Sequence, residues 1–172
     1  MIYPYIKTLI RNKSLYNTSV PVWTIRTQMA RCYITGTTTS NYWVVYTWNV
    51  SNSGSWQLFW IRIRHDGNWN HPWTANWKDG ISPSSLNISW WTHIVGVGDW
   101  TNHTLYVNWQ LVSSNNYSAI TSSTGIYIWW VTSWSDDPYQ WYMSNVILES
   151  KGRTAQEISD YYNQTKWNYW IS

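Results

Sequence analysis

Apolar and polar residues alternate in short runs along most of the chain, and Gly, Asn, Asp or Ser separate one run from the next. This spacing predicts strands over Ile25 to Thr35, Trp43 to Thr47, Gln57 to Arg64, Trp91 to Val97, Leu105 to Val107, Gln110 to Ser113, Gly125 to Ile128 and Tyr142 to Leu148. In the third run Ile61 and Ile63 fall on one face, Arg62 and Arg64 on the other. Many short strands with polar turns predict an all-β fold, two antiparallel sheets packed as a sandwich. The pattern changes near the C-terminus. Thr154 and Glu157 have the spacing of a capping box, and Ala155, Ile158, Tyr161 and Tyr162 form a narrow apolar stripe, which predicts a helix over 154–166 lying on the sandwich. Residues 68–87 and 115–124 follow neither period and read as long loops.

Between the apolar runs Leu105-Tyr106-Val107 and Gln110-Leu111-Val112 stands Asn108-Trp109, where a two-residue hairpin turn favours Asn-Gly. Such a turn needs positive φ at both central residues, which costs a residue with a Cβ roughly 1–2 kcal/mol, so Trp109 predicts a different turn. The hairpin follows Trp91-Thr92-His93-Ile94-Val95-Gly96-Val97-Gly98-Asp99. Together these segments resemble the laminin G-like branch of the concanavalin A-like lectin/glucanase superfamily, in which Trp-x-His, an Asp-containing turn and a Leu-Tyr-Val-Asn-Gly hairpin succeed one another. Tyr139 to Val146 is similar to the family's late aromatic strand, and Thr154 to Ile158 with Tyr161 and Tyr162 to its closing helix. The resemblance runs from about Thr24 to Tyr162 and implies a jelly-roll sandwich over 23–172, with 1–22 as an extension or connector.

Trp stands where that family has Gly, at 109 and again at 141. The chain holds 18 Trp against a single Phe, and Trp69, Trp100, Trp134, Trp167 and Trp170 also lie among turn residues, whose backbone geometry Trp does not favour. Two origins fit this. The gene comes from a genome in which UGA encodes Gly, so that Gly is native at 69, 109, 141 and 167 while Trp91 is genuine; or the protein has a truly Trp-rich surface.

A length of 172 residues suits one domain. Only 11% of residues are charged and the net charge is +3, but Lys7, Arg11, Lys13, Arg26 and Arg31 all precede the first acidic residue, Asp66. That basic third reads as a solvated face, because it contains no run of adjacent cations and no nucleic-acid motif. Cys32 is the sole cysteine and reads as a small core residue. No stretch has the apolar length of a membrane span, and the first residues do not form a signal peptide. Since family members are mostly extracellular, we expect an extracellular or cell-surface location with an export segment upstream of this chain.

Catalytic chemistry finds little support in the residues. A retaining glycosidase needs two carboxylates on one face, yet the family's Glu-x-Asp-x-x-Glu strand is missing and the two glutamates are Glu149 and the capping Glu157. His65, His71, His93 and His103 are scattered, without a nucleophile elbow or zinc-ligand spacing. Calcium is the metal to weigh: Asp66, Asn68 and Asn70 place oxygens at alternate positions, and Asp99 and Asp136 are further donors. For sugar stacking the candidates are Tyr42, Tyr46, Tyr117 and Tyr139. The expected function is that of a non-catalytic adhesion module binding a glycan or glycosylated surface. The alternative is a terminal domain of a surface appendage or pilin-like subunit that packs against sister subunits.

Overall fold

A computed structural model describes residues 15–17, 25–34, 42–48, 59–66, 69–75, 80–81, 88, 90–99, 102–116, 125–130 and 141–169. In chain order its elements are β1 (Leu15–Asn17), β2 (Arg26–Ile34), β3 (Tyr42–Trp48), β4 (Phe59–Asp66), β5 (Trp69–Ala75), β6 (Gly80–Ile81), β7 (Trp90–Gly98), β8 (Asn102–Val107), β9 (Gln110–Asn116), β10 (Gly125–Trp130), β11 (Trp141–Glu149) and α1 (Ala155–Thr165), followed by a 3-10 turn (Lys166–Tyr169). They form two antiparallel sheets, one of six strands in the order β1-β10-β3-β4-β5-β6 and one of five in the order β11-β2-β7-β8-β9.

Alternation sets the core between the sheets. Ala30 and Cys32 from β2, Ile94 from β7, Leu105 and Val107 from β8, and Met143 and Val146 from β11 cluster with Val44, Val45, Ile61 and Ile63 of the six-stranded sheet. Ile61 and Ile63 are buried as their spacing predicts, and Cys32 is a core residue. The intervening residues of the five-stranded sheet form a second apolar layer, in which Met29, Val95, Tyr106 and Ile147 pack with Ile158 and Tyr161 of α1. The sheet is therefore covered on both faces over much of its area. This explains why Thr92 to Gly96 of β7 are buried without a break.

The helix starts as its sequence predicts. The Glu157 amide donates to the Thr154 hydroxyl at 3.2 Å, and the Thr154 amide donates to Glu157 Oε2 at 2.9 Å. The Thr27 hydroxyl, on β2, donates to the Lys151 carbonyl at 2.6 Å and accepts from the Arg153 amide at 2.9 Å, so the segment leading into α1 is tied to the start of β2.

Three expectations are corrected, and the N-terminal segment gains a strand. The stretch 68–87 contains β5 and β6; Pro72 obscures β5, but among the described residues β6 pairs with Thr74 and Ala75 and not with Pro72, where a missing N–H is tolerated. Residues 15–17, within the segment read as an extension or connector, pair with β10 in the six-stranded sheet. Arg26 and Arg31 are buried at 0% and 2% exposure, so they belong to no solvated basic face. The hairpin after β8 keeps its two-residue form, with Val107 paired to Gln110 and φ of 48° at Asn108 and 72° at Trp109.

That last turn holds because its neighbours hold it. The Asn108 amide donates to the His93 carbonyl at 2.9 Å and the His93 amide donates to Asn108 Oδ1 at 2.9 Å, while Trp109 stands out in solvent. Trp90 also has a positive φ, 62°, whereas Trp141 is not among the positive-φ residues and pairs with Ile34 in an extended ladder. Asn145, with φ of 48°, sits where the β11–β2 register shifts, a β-bulge that Asn enters more readily than most residues.

Candidate functional site

The outer face of the five-stranded sheet is built in rows, because antiparallel register sets residues of β11, β2 and β7 directly opposite one another. Glu149, Thr27 and Val97 form one row; Ile147, Met29 and Val95 the next; then Ser144, Arg31 and His93; and finally Tyr142, Tyr33 and Trp91. Helix α1 runs along these rows from Thr27, beside its start, to Arg31, beside its end. Its last turn stops one row short of the aromatic triplet.

The row beneath the helix end is polar and sealed. Arg31 donates through Nη2 to the Thr165 hydroxyl at 2.8 Å and to the Tyr162 carbonyl at 3.4 Å, and its guanidinium lies 5.1 Å from the centre of the Tyr162 ring. A guanidinium on a late carbonyl satisfies a group that the helix leaves unpaired. His93, fully buried, lies 5.5 Å from the Tyr161 ring and 6.0 Å from that of Tyr162. Burial, assisted by the charges of Arg31 and Arg153, depresses its pKa to about 3, so the ring is neutral near pH 7. Arg153 donates through Nε to Glu149 Oε2 at 2.6 Å, and this bond is the main cause of its raised pKa.

The aromatic row lies half-buried beyond that seal. The Tyr33 ring centre is 5.8 Å from Tyr142 and 5.5 Å from Trp91, with interplanar angles of 51° and 49°, and all three side chains are half-buried. Trp90, 70% exposed, meets Tyr33 edge-on at 6.3 Å. The strands fix where the rings stand, and the rings support one another by tilted and edge contacts of the favoured kind. Such a row offers apolar faces flanked by a phenol hydroxyl at either tyrosine, which suits a ligand that is itself half apolar and half hydroxylated.

Two of the tyrosines singled out in the sequence lie on the other sheet. Tyr42 and Tyr46 are on β3 of the other sheet, opposite Ile63 and Trp60, with side chains outside the described residues, as Tyr117 and Tyr139 are altogether. Of the calcium candidates, Asp66 and Asn70 stand on β4 and β5, opposite Trp69 and His65 across a tight hairpin, while Asn68 and Asp136 lie outside the described residues. Asp99 is engaged locally: its carboxylate accepts from the Asn102 amide at 2.5 Å and from Asn102 Nδ2 at 3.3 Å, closing the β7–β8 turn. Among the described residues no three His, Cys, Asp or Glu side chains gather as a metal site would require. His103 is buried beside the charge of Arg26, and its pKa falls to about 3, chiefly through burial. No described helix is long and apolar enough to cross a membrane.

No protein-family profile matches the chain, and no curated protein does. Solved structures do. The botulinum neurotoxin serotype D ligand binding domain in complex with N-acetylneuraminic acid is similar over 88% of this chain and 40% of its own length, with 13% identity and a TM-score of 0.65. Domain 4 of an extracellular arabinanase from Geobacillus stearothermophilus, in complex with arabinotriose, is similar over 93% of this chain and 80% of its own, with 15% identity and a TM-score of 0.62. Trypanosoma rangeli sialidase matches over 83% of this chain and 23% of its own, with 12% identity and a TM-score of 0.61. The chain thus spans about two fifths of the length of the neurotoxin domain. At such identities the likeness is one of fold, and the fold of this chain is the antiparallel β-sandwich.

Proposed function

We propose that this chain is a non-catalytic carbohydrate-recognition module whose ligand lies on the aromatic row Tyr142, Tyr33 and Trp91. The observation that carries this reading is the row itself: three half-buried rings placed by strand register on a face that α1 covers only as far as Arg31. Sugar rings present apolar C–H patches to aromatic faces and hydroxyls to their edges, so an open aromatic row is a chemically suitable bed. Fold-level likeness to domains solved with N-acetylneuraminic acid and with arabinotriose supports the same class of ligand.

The non-catalytic part of the reading rests on the two glutamates. Glu149 is 5% exposed and held by Arg153, and Glu157 is engaged by Lys151 and the Thr154 amide, so each is committed to structure. The laminin G-like assignment, an extracellular setting and calcium in a rim loop belong to the same reading; the first draws on the Trp91-Thr92-His93 strand and the Asn108 hairpin.

Electrophoretic retardation in polysaccharide-loaded gels, paired with a reducing-sugar assay and run with calcium and with chelator, tests the proposal. Retardation that Tyr33→Ala removes, without new reducing ends, is expected. Release of reducing ends that Glu149→Gln abolishes would overturn the non-catalytic reading. Filaments or stable oligomers with no retardation would favour the appendage subunit.

A further inference from the structure

Resting on that reading, we infer that the row takes a neutral, extended polysaccharide, laid across β11, β2 and β7 so that consecutive sugar units meet Tyr142, Tyr33 and Trp91.

The direction follows from register. Tyr142, Tyr33 and Trp91 are mutual partners on three adjacent strands, so the row runs perpendicular to the strands and its outer members stand about two strand spacings, roughly 10 Å, apart. Two consecutive pyranose units of an extended chain cover that length. A single terminal sugar would touch one pair of rings and leave the third bare. Among the described residues the helix does not wall the row, since it stops a row away, on Arg31. A track that the helix leaves open suits the middle of a chain better than its end.

Neutrality follows from the charges. Two described cations stand at this end of the face, and both are committed. Arg31 is 2% exposed, and its guanidinium is taken up by the Thr165 hydroxyl, the Tyr162 carbonyl and the Tyr162 ring. Lys166, at the end of the same helix, donates to Asn163 Oδ1 at 3.0 Å and lies 5.0 Å from the Trp167 ring. A carboxylate brought to the row would lose water without gaining an ion pair from the buried Arg31, and Lys166 would have to leave Asn163 and Trp167 to supply one, which penalises a sialylated or uronic-acid ligand. Trp90, edge-on to Tyr33, adds exposed surface beside the row.

Calorimetric titration of the intact chain separates these claims. The probes are glucose, cellobiose, cellotetraose, xylotetraose, arabinotriose, and lactose beside sialyllactose. Affinity for at least one neutral series should rise at least tenfold from the monosaccharide to two or three units, change little between low and high salt, and fall about tenfold in Tyr33→Ala and in Tyr142→Ala, each checked for an unchanged fold by circular dichroism. Sialyllactose bound more tightly than lactose, with an affinity that salt weakens, would overturn neutrality while leaving carbohydrate recognition intact. Equal affinity for one sugar and for four would overturn the extended track. Wild-type binding that both tyrosine variants retain would overturn the site, and silence across every probe would remove both this inference and the function it rests on.

Discussion

Asn108 and His93 hold each other through a pair of 2.9 Å bonds, the side-chain oxygen of Asn108 taking the His93 amide and the Asn108 amide returning to the His93 carbonyl. The side chain thereby extends the β7–β8 ladder by one step past the last paired residues, Ile94 and Val107. Asn serves here twice over. It tolerates the positive φ of the turn, and it satisfies a strand amide that the turn would otherwise orphan.

Asn108→Ala should therefore lower stability by about 2 kcal/mol or more, combining a disfavoured φ with an unpaired amide. Asn108→Gly, which keeps the φ and loses only the acceptor, should cost about 1 kcal/mol. Urea denaturation of both variants checks the difference; equal losses would mean that the side-chain bond contributes nothing.

Tryptophan at positive φ is the other feature of this turn. Trp109→Gly and Trp90→Gly each relieve a left-handed conformation costing roughly 1–2 kcal/mol while adding backbone entropy of roughly 0.5–1 kcal/mol, so each should be neutral or stabilising by up to about 1 kcal/mol. Trp91→Gly, which removes a half-buried ring, should destabilise. If UGA encodes Gly in the source genome, peptide mass spectrometry of the natural protein will find Gly at 90 and 109 and Trp at 91. The backbone strengthens that expectation at 109, extends it to 90, and supplies no φ-based reason for it at 141.

How far the sequence reveals the molecule depends on whether a feature is local. The strands around Ile61, Ile94 and Leu105, and the Thr154–Glu157 box, follow from alternation and short spacing, and the structure contains them. β5 escaped because Pro72 and the polar residues around it erase the period, although its pairing with β4 is complete. The aromatic row was illegible for a different reason. Tyr33, Trp91 and Tyr142 lie far apart in sequence, and only the register of three strands sets them side by side. The burial of Arg31 likewise depends on a helix more than a hundred residues away, which supplies the carbonyl and hydroxyl that a buried guanidinium needs.

Thr154→Ala should cost about 0.5–2 kcal/mol through loss of the cap. The expected readout is a lower urea midpoint, with earlier exchange of the amides of Gln156 and Glu157. No change in either would place the helix start elsewhere.

Acid should loosen the sheet beneath the helix. The His93 pKa is depressed from 6.5 to about 3, so between these values the unfolded chain binds a proton that the folded chain does not. The stability that depends on neutral His93 is present above pH 6.5 and is lost progressively as pH falls toward 3. Arg31 and Arg153 oppose a charge there, Glu149 is already paired with Arg153, and Tyr161 and Tyr162 cover the ring. His103 contributes in the same window and the same direction. Urea midpoints measured from pH 7.5 to pH 4 should fall, and His93→Gln should flatten part of the slope; an undiminished slope would assign it to other groups.

The location of ligand binding is tested most directly by following the indole N–H resonances of 15N-labelled protein during titration with a neutral oligosaccharide. Trp91 should shift progressively with ligand, together with Trp90, while Trp60, on β4 of the other sheet, stays in place, and the Trp91 response should vanish in Tyr33→Ala. A saturable ligand that leaves Trp91 unmoved would contradict the assignment of this row as the binding surface.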